Sequence, residues 1–167
     1  MSSDTADAEI ILRPPRLEDG KAVHELIRDN PPLDVNSSYS YFLLCSHFSG
    51  TCCVGEADGR VVSFLSAYLE PSQPDRLFVW QVVVDPSMRG KRLAGRMLDD
   101  VLARDACQGL RYIEATVNPS NTASARFLEK VAGSMDAGLN KSVFLSKEHF
   151  GGEDHEEEIL FEIGPIS

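Results

Sequence analysis

The chain has 167 residues, 43% of them hydrophobic and 25% charged, enough apolar material for one domain to bury a core of its own. Sixteen basic residues against 26 acidic ones give a net charge of -10, which argues against a nucleic-acid partner and suits a small cationic substrate. Cys45, Cys52, Cys53 and Cys107 lack metal-ligand spacing, and no segment reads as a signal peptide or a membrane span, so a reduced cytoplasmic setting with no metal site and no membrane partner is expected.

Residues 1–8 are polar and read as a disordered tail, with one domain over 9–167. Glu9–Leu12 reads as a short strand ended by Pro14-Pro15. A helix follows with Glu18 and Asp19 in its first turn and Val23, Leu26 and Ile27 as its stripe, stopped by Asn30-Pro31-Pro32. The loop LDVNSS leads to a second helix with Tyr41, Leu44, Cys45 and Phe48 inward, capped by Ser37 or Ser38. Thr51–Glu56 and Arg60–Leu69 form a hairpin around Ala57-Asp58-Gly59.

After a PSQPD turn, Leu77–Val84 is nearly all apolar and reads as a central strand buried on both faces. Asp85-Pro86-Ser87 stops it, and a helix runs from Gly90 with Leu93, Met97, Leu98, Val101 and Leu102 on one face. Tyr112–Val117 is a second buried strand, and strand-helix-strand spacing predicts that it lies parallel to Leu77–Val84 as a neighbour or near-neighbour. Thr122–Ala132 is a helix with Ser124, Phe127, Leu128 and Val131 inward. SVFLSKEHF reads as a strand or a helical turn, GGEDHEEE as a charge run, and Ile159–Ile163 as the last strand. The result is a mixed α/β domain.

Between the central strand and its helix lies RGKRLA, Arg89 to Ala94. A basic, glycine-containing turn at a helix N-terminus offers free backbone N–H groups to a pyrophosphate; solvated surface arginines are the plain alternative. It is neither a P-loop nor a dinucleotide fingerprint.

Arg89-Gly90-Lys91-Arg92-Leu93-Ala94 resembles motif A of the GCN5-related N-acetyltransferase (GNAT) superfamily, with Arg92 where that family usually has glycine. Asn118–Ser124 resembles its motif B, with Asn121 as the asparagine near the pantetheine arm. The tyrosine that often follows seven residues later, to protonate the leaving thiolate, is Leu128. The segments RPP, LEDG, PPLDVNSSYSYFLLCSHF, FVWQVVVDP and NPSN resemble the ectoine-pathway L-2,4-diaminobutyrate N-γ-acetyltransferases over about Ile10 to Ile163.

That resemblance implies the GNAT fold, a single domain with a mixed, largely antiparallel sheet, a parallel central strand pair and flanking helices. It implies acetyl-CoA as co-substrate, L-2,4-diaminobutyrate as acceptor, a homodimer and direct amine attack. Carried over by motif, it makes Glu158 and Asp34 the catalytic candidates. Asn36, Tyr39, Trp80 and His155 join them as substrate ligands, with Glu114 in reserve. Gln81, Val82, Val84, the turn Arg89–Ala94 and Asn121 are the acetyl-CoA candidates. An acceptor other than diaminobutyrate, or a non-catalytic acyl-CoA-binding module, are the alternatives.

Overall fold

The computed structural model describes residues 9–152 and 154–167, so the tail expected over residues 1–8 lies outside the described residues. The strands are β1 (Ile10–Arg13), β2 (Cys53–Ala57), β3 (Arg60–Glu70), β4 (Gln73–Val84), β5 (Tyr112–Val117), β6 (Leu139–Leu145) and β7 (Glu158–Ile163). The helices are α1 (Gly20–Arg28), α2 (Ser38–Ser46), α3 (Leu93–Leu102) and α4 (Thr122–Ser134). The strands form one mixed sheet in the order β1-β2-β3-β4-β5-β7-β6. Along the chain there are two compact units, Met1–Ser66 with Gln81–Arg104, and Ala67–Trp80 with Asp105–Ser167; β3 and β4 each run from one into the other.

In the first unit β1, β2 and β3 pair antiparallel. The hairpin turns through Asp58 and Gly59 at φ of 53° and 74°, the left-handed pair that Asp-Gly supplies at low cost. The stripe Val23, Leu26 and Ile27 of α1 and the stripe Tyr41, Leu44 and Cys45 of α2 close on Cys52, Val54, Phe64 and Val83. Fully burying a residue such as Ile27 or Phe64 contributes about 1.5–3 kcal/mol. An ion cluster ties the N-terminal strand to this core. Arg13 of β1 grips Asp19 through two bonds (2.8 and 3.0 Å) and Glu56 of β2 through Nε (2.9 Å).

In the second unit the first half of β4 runs parallel to β5, with Leu77 opposite Ile113, as the strand-helix-strand spacing predicts. β7 pairs antiparallel with β5 on one side and β6 on the other. Arg76 reaches Glu114 of β5 (2.5 Å) and Glu162 of β7, and its guanidinium lies 4.2 Å from the Tyr112 ring centroid. Without that cation the two glutamates, direct cross-strand partners, would repel.

Four expectations are corrected. β4 begins at Gln73, so Pro74 and Asp75 are strand rather than turn; a proline is tolerated at a strand's start, where its missing N–H leaves little of the ladder unmade. β4 is not buried on both faces: Leu77, Val79, Gln81 and Val83 are buried, whereas Phe78, Val82 and Val84 are half-buried and Trp80 is 45% exposed. A run of apolar residues does not by itself say whether the second face meets protein. The helix expected from Gly90 starts at Leu93, because Gly90 and Arg92 have φ of 81° and 57°, outside the right-handed helical region. Phe48 lies beyond the end of α2 and is exposed. The segment SVFLSKEHF supplies both a strand, β6, and a 3-10 turn at Lys147–Phe150.

Candidate functional site

The exit from β4 is built locally. Asp85 accepts from the backbone N–H (2.9 Å) and hydroxyl (2.7 Å) of Ser87, and these bonds lower its carboxyl pKa below the ordinary value. A 3-10 turn, Pro86–Met88, brings the chain to Arg89. Gly90 and Arg92 then bend the backbone so that Arg92 is the N-cap of α3. Its side chain caps nothing, and the first intrahelical bond runs from Arg96 N–H to the Arg92 carbonyl (3.0 Å). The amides of Leu93, Ala94 and Gly95 precede that bond. A side chain at Gly90 would meet nothing within 4 Å, so the backbone there is open to a ligand. Exposed Arg89 and Arg92 and half-buried Lys91 surround the turn with positive charge. Open amides, the positive end of a helix and three cations are a chemical fit for a pyrophosphate. The φ of Arg92 also explains why glycine suits that position, since only the backbone conformation is required there.

The loop between α1 and α2 carries the next candidates. Asp34 and Tyr39 are exposed, Tyr39 at 70%, while Asn36 is half-buried. The carbonyl of Asp34 accepts from Gln81 Nε2 (2.8 Å). The Tyr41 hydroxyl donates to Gln81 Oε1 (3.1 Å) and accepts from the Asn36 backbone N–H (3.2 Å). The carboxamide of Gln81 is therefore taken up by the Asp34 carbonyl and the Tyr41 hydroxyl. Strand alternation turns it to the buried face, opposite Trp80 and Val82. The capping serine is Ser37 by position, but its side chain makes no cap bond.

In the second unit, Trp80 stands on the open face of β4. Asn121 caps α4, its Oδ1 accepting from Ser124 N–H (3.2 Å). Leu128 is 3% exposed and packs in the core, so no acid stands at that position. The segment before β7 is held by Ser120, whose hydroxyl donates to Glu156 (2.5 Å), and by His155, whose ring stacks on Phe150 at 3.6 Å. His155 Nδ1 lies 2.6 Å from the Glu156 carbonyl. A carbonyl only accepts, so Nδ1 carries the proton. Glu158, half-buried, opens β7. Glu114 is engaged by Arg76 and is not a free base.

Tyr41, Ser120, Glu156 and Arg76 were not singled out by the sequence as site residues. For Tyr41 a signal existed: a tyrosine on an apolar helix face needs a partner for its hydroxyl. Burial raises the thiols of Cys45 and Cys53 to about 12, and all four cysteines are buried and outside any disulfide. No nucleophile is available from them.

The Acetyltransferase (GNAT) family matches residues 20–133 of the chain. The L-2,4-diaminobutyric acid acetyltransferase of Bordetella parapertussis is 48% identical over 157 residues, 93% of this chain and 84% of that protein. The protein of the same name from Halalkalibacterium halodurans is 41% identical over 97% of this chain and 85% of its own length. Among solved structures, the diaminobutyrate acetyltransferase EctA of Paenibacillus lautus, in complex with its substrate L-2,4-diaminobutyric acid and coenzyme A, aligns with a TM-score of 0.90 at 43% identity. That alignment covers 95% of this chain and 96% of the other. Ard1 from Thermoplasma volcanium, at 16% identity and a TM-score of 0.73, shares the fold.

Proposed function

Because the chain belongs to the Acetyltransferase (GNAT) family, and within it to the L-2,4-diaminobutyric acid acetyltransferases, we infer that it transfers the acetyl group of acetyl-CoA to the γ-amine of L-2,4-diaminobutyrate. The observation that carries this reading is the likeness, over 95% of the chain, to an enzyme held with that amino acid and coenzyme A. The product is the precursor of ectoine in that family.

The acceptor amine, with an ordinary pKa of about 10, enters as an ammonium and must lose a proton before its lone pair can attack. Attack forms the C–N bond at the thioester carbonyl, the C–S bond breaks, and coenzyme A leaves as a thiolate that takes up a proton. This route needs no covalent acyl-enzyme, in keeping with the buried, unreactive thiols of Cys45 and Cys53.

We assign Glu158 as the proton acceptor and Asp34 as a carboxylate that binds an ammonium group, with His155 Nε2 as a further acceptor of protons or hydrogen bonds. Asn36 and Tyr39 bind the amino-acid end, and Trp80 presents an aromatic face to a cation. The turn Arg89–Ala94 binds the pyrophosphate through its amides, the Asn121 Nδ2 meets the pantetheine arm, and a backbone N–H near Val82 stabilises the oxyanion. Val84 lies beside the same arm. With Leu128 in the core, a water or the substrate's own released proton serves the leaving thiolate. A homodimer working in the cytoplasm completes the reading; among the described residues, no helix is long and apolar enough to cross a membrane.

The test is CoA release from acetyl-CoA with L-2,4-diaminobutyrate, ornithine, a polyamine or no acceptor. Turnover should be highest with diaminobutyrate, by at least about tenfold in kcat/KM. Preference for ornithine or a polyamine would move the assignment to another amine, and acetyl-CoA binding with no turnover would leave only a binding module.

A further inference from the structure

We propose that Gln81 is a positioning residue for the acceptor site, acting through the loop that carries Asp34 and Asn36; this rests on the reading of Asp34 as an ammonium ligand. Gln81 is 7% exposed, and both polar atoms of its carboxamide are hydrogen-bonded. Nε2 donates to the Asp34 carbonyl (2.8 Å), and Oε1 accepts from the Tyr41 hydroxyl (3.1 Å). The amide orientation is fixed by its neighbours. The Asp34 carbonyl can only accept, so it must face the amide NH2. The Tyr41 hydroxyl, having given its proton to Gln81, accepts from the Asn36 backbone N–H (3.2 Å) and from Asn36 Nδ2 (3.4 Å). From below, the backbone N–H of Gln81 donates to the buried Ser66 hydroxyl (3.1 Å), which seats the residue in the sheet.

One glutamine and one tyrosine therefore clamp both ends of a three-residue stretch, Asp34 at its carbonyl and Asn36 at its amide. Bonds go to backbone at both ends, and Tyr41 also takes one from Asn36 Nδ2, so they fix where the two side chains project and leave the Asp34 carboxylate and Asn36 Oδ1 outside the clamp. Asp34 and Tyr39 themselves are exposed, and a loop carrying such residues loses affinity if it must be ordered at the moment of binding. A clamp of this kind is expected to act on acceptor affinity and to leave acetyl-CoA binding alone.

The experiment uses the full chain with two substitutions, Gln81→Met, which keeps volume and removes both bonds, and Tyr41→Phe, which removes only the hydroxyl. Each is assayed for the two KM values and for hydrogen-deuterium exchange at the Asn36 amide. Gln81→Met should raise KM for L-2,4-diaminobutyrate on the order of tenfold with KM for acetyl-CoA within about twofold. Tyr41→Phe should do the same about threefold, and carries the test if Gln81→Met does not fold. In an Asp34→Ala background Gln81→Met should add less than it does in the wild type, because part of its effect runs through Asp34; a purely structural role would add in full. Asn36 should exchange faster in both variants. Wild-type turnover of diaminobutyrate with both acceptor KM values unchanged overturns the proposal and leaves the function standing. Absence of wild-type turnover removes the function. The clamp is then judged on Asn36 exchange alone, where unchanged protection overturns it.

Discussion

Replacing Asp19 by asparagine isolates the ion cluster that joins β1 to α1. The native carboxylate takes two bonds from Arg13, at 2.8 and 3.0 Å, and one from the Arg16 backbone N–H at 2.7 Å, with only 11% of the side chain exposed. Burial by itself would raise its pKa, but the hydrogen bonds from Arg13 and Arg16 outweigh burial and hold it below the ordinary value. Asparagine keeps the shape and one acceptor oxygen, and turns an NH2 toward a donor. Losing one charge-assisted bond and half of Arg13's counter-charge should destabilise the protein by about 2–3 kcal/mol at pH 7. For a chain of this size that lowers Tm by roughly 4–12 °C.

The pH dependence gives the reasoning its sharper test. A carboxyl whose folded pKa lies below its unfolded pKa contributes stability in full above the unfolded value, about 3.9, and loses it as pH falls through the folded value. The gap between wild type and Asp19→Asn, read by urea denaturation, should be flat from pH 7 to about pH 5 and should narrow at lower pH. A gap that holds constant down to pH 3, or that is already below about 0.5 kcal/mol at pH 7, would refute the assignment.

Other consequences follow from the same geometry. Arg76→Met leaves Glu114 and Glu162 facing each other without their cation, and should cost about 3–5 kcal/mol in chemical denaturation; a loss under 1 kcal/mol would contradict the triad's role. Arg92→Gly relieves a left-handed residue at φ 57° and should keep or raise stability, by up to about 1 kcal/mol in a thermal melt. Its KM for acetyl-CoA should change less than about threefold if, as proposed, the turn binds through its amides; a larger rise would assign the affinity to the side chain. Iodoacetamide at neutral pH should leave Cys45 and Cys53 unmodified in the native protein by mass spectrometry, with activity retained. Acetylated cysteine found with acetyl-CoA alone would instead mean a covalent route.

What could be read in the sequence was what repeats at short range. The stripes Val23-Leu26-Ile27 and Leu93-Met97-Leu98-Val101 are buried as their spacing predicts, and the Asp58-Gly59 turn and the β4–β5 parallel pair follow from local chemistry and chain length. The resemblance supplied the family and the acceptor. What stayed hidden depended on partners far apart in the chain. β6 carries no alternation, because its residues are exposed or half-buried on both sides. Arg76 finds Glu114 and Glu162 across 38 and 86 residues, and Gln81 finds Tyr41 across 40, so neither pairing leaves a local pattern. Gln81 shares a strand with Val82 and Val84, but alternation puts its carboxamide on the other face. Asparagine at 121 suits both a cap and a ligand by sequence, and the structure shows the cap, made through Oδ1.

The most direct measurement is NMR of the product formed from acetyl-CoA and L-2,4-diaminobutyrate, to locate the new amide. The account predicts acetyl on the γ-nitrogen with stoichiometric release of coenzyme A. Acetyl on the α-nitrogen, or no product from enzyme that binds acetyl-CoA, would contradict it.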